Sequence, residues 1–172
     1  MRRSVESCKR SLQLTACSLQ LKALGVVLLF GIGALALAQN PGVAKIAAPV
    51  GVQAQAHSTA TADFKIAVQP GFHIQSNHPK LDYLIPSRIS LTAADGVSVA
   101  KVNWPEAKAH TFSFAPGQPL NVFEGTFTVP VILKTGAAGN ALLHGTFRYQ
   151  ACNDQLCKPP VTVPFTLAVH VH

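Results

Sequence analysis

The stretch Phe64-Lys65-Ile66-Ala67-Val68-Gln69-Pro70-Gly71 decides the fold. Phe64, Ile66 and Val68 alternate with Lys65, Ala67 and Gln69. This period of two sends successive side chains to opposite faces of a half-buried strand. Pro70-Gly71 ends the run in a turn. The same pattern recurs further along the chain. Ile89 and Leu91 alternate with Ser90 and Thr92, and Ala94-Asp95-Gly96 turns into Val97-Ser98-Val99-Ala100-Lys101-Val102. Val122 to Leu133 is a long β-rich stretch that Pro130 is expected to interrupt. Lys134 to Asn140 reads as a turn, and Leu143 to Ala151 and Val161 to Val171 as the last two strands. About seven or eight short strands, with turn signals roughly every ten residues, predict an all-β, immunoglobulin-like β-sandwich over residues 61–172. No stretch beyond residue 60 keeps a helical period.

The composition agrees. The chain has 172 residues, 48% hydrophobic and 12% charged, too apolar for a disordered polymer and short enough for one domain of ordinary size. Gly and Pro number 12 each, which suits a domain rich in turns. The formal charge of +7 is not a nucleic-acid footprint. Arg2, Arg3, Lys9, Arg10 and Lys22 face a single acid, Glu6, before residue 38, and no basic run follows. Lys22 opens the uncharged apolar run Ala23 to Ala38, which closes on Ala36-Leu37-Ala38. A basic leader, an apolar stretch and an A-x-A end predict a secretory signal peptide over 1–38, with an uncleaved membrane anchor as the alternative. Residues 39–60, rich in Ala, Gly, Val and Gln, have no clear period and are expected to form a flexible tether. The domain would then lie outside the cytoplasm, where disulfides persist. Cys8 and Cys17 belong to the leader, leaving Cys152 and Cys157.

These two cysteines sit in Phe147-Arg148-Tyr149-Gln150-Ala151-Cys152-Asn153-Asp154-Gln155-Leu156-Cys157-Lys158-Pro159-Pro160, the connection of the terminal hairpin. Three readings compete. A structural disulfide closing so small a loop contributes only about 2 kcal/mol, against more than about 4 kcal/mol for a long-range bridge. A metal site needs further ligands, usually a second close pair, and no His lies within a turn of these cysteines. His170 and His172 share a face of the last strand, and terminal His residues are usually just solvated. A redox pair needs an accessible sulfur and a resolving partner, and close spacing on a loop supplies both. Lys158 and Arg148 would favour a thiolate, Asp154 would oppose it, and Pro159-Pro160 stiffens the exit. Elsewhere, His73, His78, His110 and His144 are scattered, Trp104 reads as core packing, and no catalytic triad, phosphate loop or carboxylate pair appears.

The run Tyr149-Gln150-Ala151-Cys152 … Cys157-Lys158-Pro159-Pro160 resembles the active-site hairpin of the N-terminal periplasmic domain of the bacterial thiol:disulfide interchange protein DsbD. Pro70-Gly71-Phe72-His73-Ile74 is similar to that domain's early strand, and Val122-Phe123-Glu124-Gly125 to its central part. The cysteine spacing is one residue shorter than in the best-known members. The resemblance implies an immunoglobulin-like domain that relays reducing equivalents by dithiol–disulfide exchange in the periplasm, in processes such as cytochrome c biogenesis. It implies that Cys157 exchanges with partners and Cys152 resolves. It also implies a cap loop with a shielding Phe, for which Phe112 and Phe114 are candidates. His73 and Gln75 stand where some members carry aromatics, so His73, Tyr149 and Lys158 join the expected surroundings of the pair. No cofactor and no metal is expected. The expected partners are thioredoxin-like periplasmic proteins and a separate membrane thiol reductase, because no further apolar stretch in this chain is long enough to span a membrane. Two other classes stay open: an exported protein-binding sandwich with an inert disulfide, and a periplasmic metal-handling domain.

Overall fold

The computed structural model describes residues 42–172, so the expected signal segment, with Cys8 and Cys17, lies outside the described residues. The described chain is built from β1 (Ala44–Ala47), β2 (Val52–Ala54), β3 (Thr59–Val68), β4 (His73–Gln75), β5 (Arg88–Leu91), β6 (Ser98–Val102), β7 (Lys108–His110), β8 (Leu120–Phe123), β9 (Thr126–Lys134), β10 (Gly139–Tyr149), β11 (Ala151–Cys152) and β12 (Val161–Val171). They form three four-stranded sheets, ordered β1-β3-β9-β6, β2-β12-β10-β5 and β11-β4-β8-β7.

The first two sheets make the sandwich. Ala62, Phe64, Ile66 and Val68 of β3 are buried while Asp63, Lys65 and Ala67 are exposed, as the alternation requires. Val129, Val131 and Leu133 of β9 meet Leu143, Phe147 and Tyr149 of β10 and Leu167 and Val169 of β12 in one core. Burial of each such side chain stabilises the fold by about 1.5–3 kcal/mol. β10 and β12 pair antiparallel from Gly139↔Val171 to Tyr149↔Val161, the predicted terminal hairpin.

Three expectations are corrected. The tether is not a tether from Ala44 onward. β1 pairs with β3 (Ala44↔Val68), β2 runs parallel to β12 (Val52↔Val169), and Ala44, Val52 and Ala54 are buried. These strands are only four and three residues long, too short for a period to show. The interruption in Val122 to Leu133 falls at Glu124-Gly125, where Gly125 turns at φ +64°, a conformation glycine adopts without steric cost. Pro130 lies inside β9 opposite Asp63, and its carbonyl still accepts the Asn103 N–H at 2.8 Å. The twelve strands among the described residues also exceed the expected seven or eight, because several pieces are only two to four residues long.

The third sheet is built from strands that adjoin those of the sandwich along the chain. β3 leads into β4, β8 into β9, and β10 into β11 with only Gln150 between. Its registers Cys152↔His73, Ile74↔Phe123, Gln75↔Val122 and His110↔Leu120 sort its side chains by face. Ile74, Ala151 and Phe123 join the sandwich core, and Cys152, Leu120 and Val122 form a second cluster on the other side.

Candidate functional site

Cys152 and Cys157 are joined by a disulfide, with Cα atoms 3.9 Å apart. Asn153 shapes the turn between them. Its Oδ1 accepts the N–H groups of Gln155 (3.0 Å) and Leu156 (2.9 Å), and its own N–H donates to Leu156 O. This is the local backbone bonding that makes Asn a turn residue. Lys158 N–H donates to Ala151 O at 2.7 Å, closing the hairpin below the sulfurs.

The two cysteines are unequal. Cys152 is fully buried among Leu84, Phe112, Leu120 and Val122, whereas Cys157 is partly exposed at the edge of that cluster. The expectation of two sulfurs on an open loop therefore holds for Cys157 and is corrected for Cys152. The burial comes from β11, which inserts Cys152 into the small sheet beside β4.

The candidate cap divides in the same way. Phe112 is 0% exposed and packs in the cysteine cluster, while Phe114, 41% exposed, stacks on it from outside with ring centroids 5.1 Å apart. The loop carrying both is fastened to the cysteine turn: Ser113 Oγ donates to Asp154 O, and His110 Nε2 lies 3.4 Å from Asp154 Oδ1.

β4 supplies two polar neighbours. Gln75, fully buried, donates from Nε2 to Cys152 Sγ at 3.2 Å. His73 stands opposite Cys152 in the register, 4.0 Å from the His110 ring and 5.3 Å, edge-on, from Phe112. His73 Nε2 is 3.1 Å from Glu124 Oε2, and Lys108 Nζ holds the other oxygen, Oε1, at 2.7 Å. With Glu124 accepting at Nε2, the buried Nδ1 of His73 has no partner among the described residues. Burial first, then the neighbouring His110, holds the His73 pKa below its ordinary value against the opposing pull of Glu124 and Asp154. Lys108 holds the Glu124 carboxyl below its usual range.

Two expected site residues lie elsewhere. Tyr149 belongs to the sandwich core: it stacks on Phe147, and its hydroxyl bonds the Ala44 backbone, accepting from N at 3.2 Å and donating to O at 3.3 Å. Burial raises its pKa. Lys158 places its ammonium over the Phe72 ring, 5.0 Å from the centroid. Conversely, Gln75, His110, Glu124, Asn153 and the Ser113–Asp154 contact complete the site. The Asn two residues before Gln155 is the one signal in that set readable as turn chemistry. Gln75 is marked through the resemblance alone, and the rest depend on registers between strands distant in sequence.

A β-sandwich with a disulfide in a tight hairpin, one sulfur buried under an aromatic loop and its partner at the rim, has the architecture of a thiol–disulfide interchange domain. The sequence matches the family described as "Thiol:disulfide interchange protein DsbD, N-terminal" over residues 42–168, and the chain belongs to that family. In structure it is similar to the N-terminal periplasmic domain of ScsB from Proteus mirabilis, with 17% identity and a TM-score of 0.53, covering 74% of this chain and 46% of that one. This chain thus spans less than half the length of that neighbour. The reduced N-terminal domain of DsbD from Neisseria meningitidis is also similar, with 14% identity and a TM-score of 0.45, covering 67% of this chain and 82% of that one. No curated protein sequence matches the chain. Among the described residues no helix is long and apolar enough to cross a membrane.

Proposed function

We propose that the domain relays reducing equivalents between thiol proteins outside the cytoplasm, with Cys157 as the exchanging sulfur and Cys152 as the resolving one. The observation that carries this assignment is the unequal burial of the pair. An incoming thiolate must line up behind the sulfur it attacks, and only a sulfur at the rim offers that approach. A donor thiolate attacks Cys157 Sγ and a mixed disulfide forms. The electron pair of the broken bond goes to Cys152 Sγ, which leaves as a thiolate and then takes a proton. A second thiolate of the donor releases Cys157, so the donor ends oxidised and the pair reduced. Transfer onward is the reverse: the Cys157 thiolate attacks an oxidised acceptor, and Cys152 closes the ring and frees the reduced product.

Phe112 is the shield in this reading, and its loop opens when a partner docks. Exposed Phe114 and Leu156 (52% exposed) flank the pair and offer that partner apolar contact. Donor and acceptor are thioredoxin-like proteins or a membrane thiol reductase, and residues 1–38 export the domain. The test mixes the reduced protein with an oxidised thioredoxin-like protein. Wild type transfers electrons, Cys152→Ser accumulates a mixed disulfide through Cys157, and Cys157→Ser does neither. Transfer by Cys157→Ser at the full rate overturns the assignment.

A further inference from the structure

We infer that Gln75 is a catalytic residue of this exchange: its side-chain amide stabilises the Cys152 thiolate each time the disulfide opens or closes. The inference rests on the exchange reading above and adds a group that touches a reacting atom.

Cys152 leaves as an anion on opening and attacks as an anion on closing, in a pocket of Leu84, Phe112, Leu120 and Val122. Apolar burial of that kind disfavours the charged sulfur and raises its pKa. A compensating donor is therefore needed, and Gln75 Nε2 is the hydrogen-bond donor to Cys152 Sγ among the described residues, at 3.2 Å. The orientation of the amide follows from chemistry. A disulfide sulfur has no proton to give, so only the NH₂ group can face it. The carbonyl end, Oε1, is buried without a partner among the described residues. An orphaned acceptor of that kind is costly, and the site keeps it to aim the donor at the sulfur.

The amide is held in place. The Gln75 N–H donates to Gln150 O (2.9 Å), its carbonyl accepts from Ser87 Oγ (2.5 Å), and β4 is flanked by β11 and β8. A donor fixed before the charge develops needs no reorganisation when it does. The other polar and charged groups on this side are arranged differently. His73 lies opposite Cys152 but is engaged with Glu124, Glu124 is held by Lys108, His110 and Asp154 contact each other, and Lys158 lies over Phe72.

The test follows the Cys152 thiol in the Cys157→Ser chain. Alkylation by iodoacetamide is read peptide by peptide by mass spectrometry across pH, so the other cysteines do not interfere. Replacing Gln75 by Met, which matches its shape without the donor, raises the Cys152 midpoint by about one pH unit or more, a tenfold loss of thiolate at a given pH. Gln75→Glu raises it further, because a carboxylate faces the charge. An unchanged midpoint in either folded variant overturns the inference. A second reading needs no change at residue 75. The Gln75 side-chain amide resonances of the Cys157→Ser protein shift with the same midpoint as Cys152, and resonances that stay flat across the titration overturn it. Failure of the wild-type protein to exchange with a partner sinks the relay and leaves the Cys152 midpoint untouched. Normal exchange with an unmoved midpoint sinks Gln75 alone.

Discussion

The two large sheets and the small sheet obey the same alternation and put it to opposite uses. In the sandwich, strands such as β3 bury one face in a continuous apolar core and turn the other to water. In the small sheet both faces are largely covered. Ile74, Ala151 and Phe123 complete the sandwich core, while Cys152, Gln75 and His73 are buried on the other side under a loop. The first arrangement yields stability. The second leaves two buried polar atoms, His73 Nδ1 and Gln75 Oε1, without partners among the described residues, beside a disulfide. Native structures tolerate such orphans where function requires them. In the proposed relay the sandwich is the mount, and the small sheet carries the exchanging pair.

The comparison breaks most readily at Cys157. Cys157→Ser is expected to abolish exchange while the melting temperature falls only modestly, since the five-residue separation of the bridge constrains the unfolded chain little. Thermal melting and a thioredoxin-coupled assay together check this. Phe147→Ala is expected to do the reverse. It opens a cavity in the sandwich core and costs about 3–5 kcal/mol in chemical denaturation, with exchange by the remaining folded protein near wild type. Phe112→Ala should speed the reaction of the disulfide with a small thiol several-fold. An unchanged rate would remove the shield from the account. Acid should weaken the small sheet. The His73 pKa is depressed in the folded state, so the unfolded chain binds more protons, and stability present above pH 6.5 is lost as pH falls below that value toward the folded pKa. Glu124, also depressed, adds a loss in the same direction as pH falls below about 4.5. Denaturation midpoints across pH check the slope, and His73→Gln should flatten its upper part. The smallest effect belongs to Asn153→Ala, which removes two side-chain acceptor bonds from the cysteine turn. It should cost about 1 kcal/mol and loosen the exchange geometry.

Much of the sandwich was legible in the sequence because Phe64, Ile66 and Val68, and later Val161 to Val171, sustain a period over many residues. β1, β2 and β11 escape because two to four residues cannot show a period, and β4 is reached only through the resemblance of Pro70 to Ile74. Glu124-Gly125 was overlooked as a break because Pro130 is the stronger signal, yet a proline whose carbonyl is still bonded leaves the strand intact. In the site, the cysteine pair and Phe112 could be reached from local sequence and resemblance. Tyr149 belongs to the run that resembles the family's active-site hairpin, but alternation turns it to the other side, into the core. Gln75 is marked only through the resemblance, as a position beside the pair; its bond to Cys152 is not legible, since the two lie 77 residues apart and only the β4–β11 register brings them together.

The central claim is that the Cys152–Cys157 bond opens and closes in use. Equilibrating the protein against glutathione buffers measures its reduction potential directly. The account predicts a value above about −300 mV, in the range of exchanging pairs. A value below that would mark a bridge that stays closed and would contradict it.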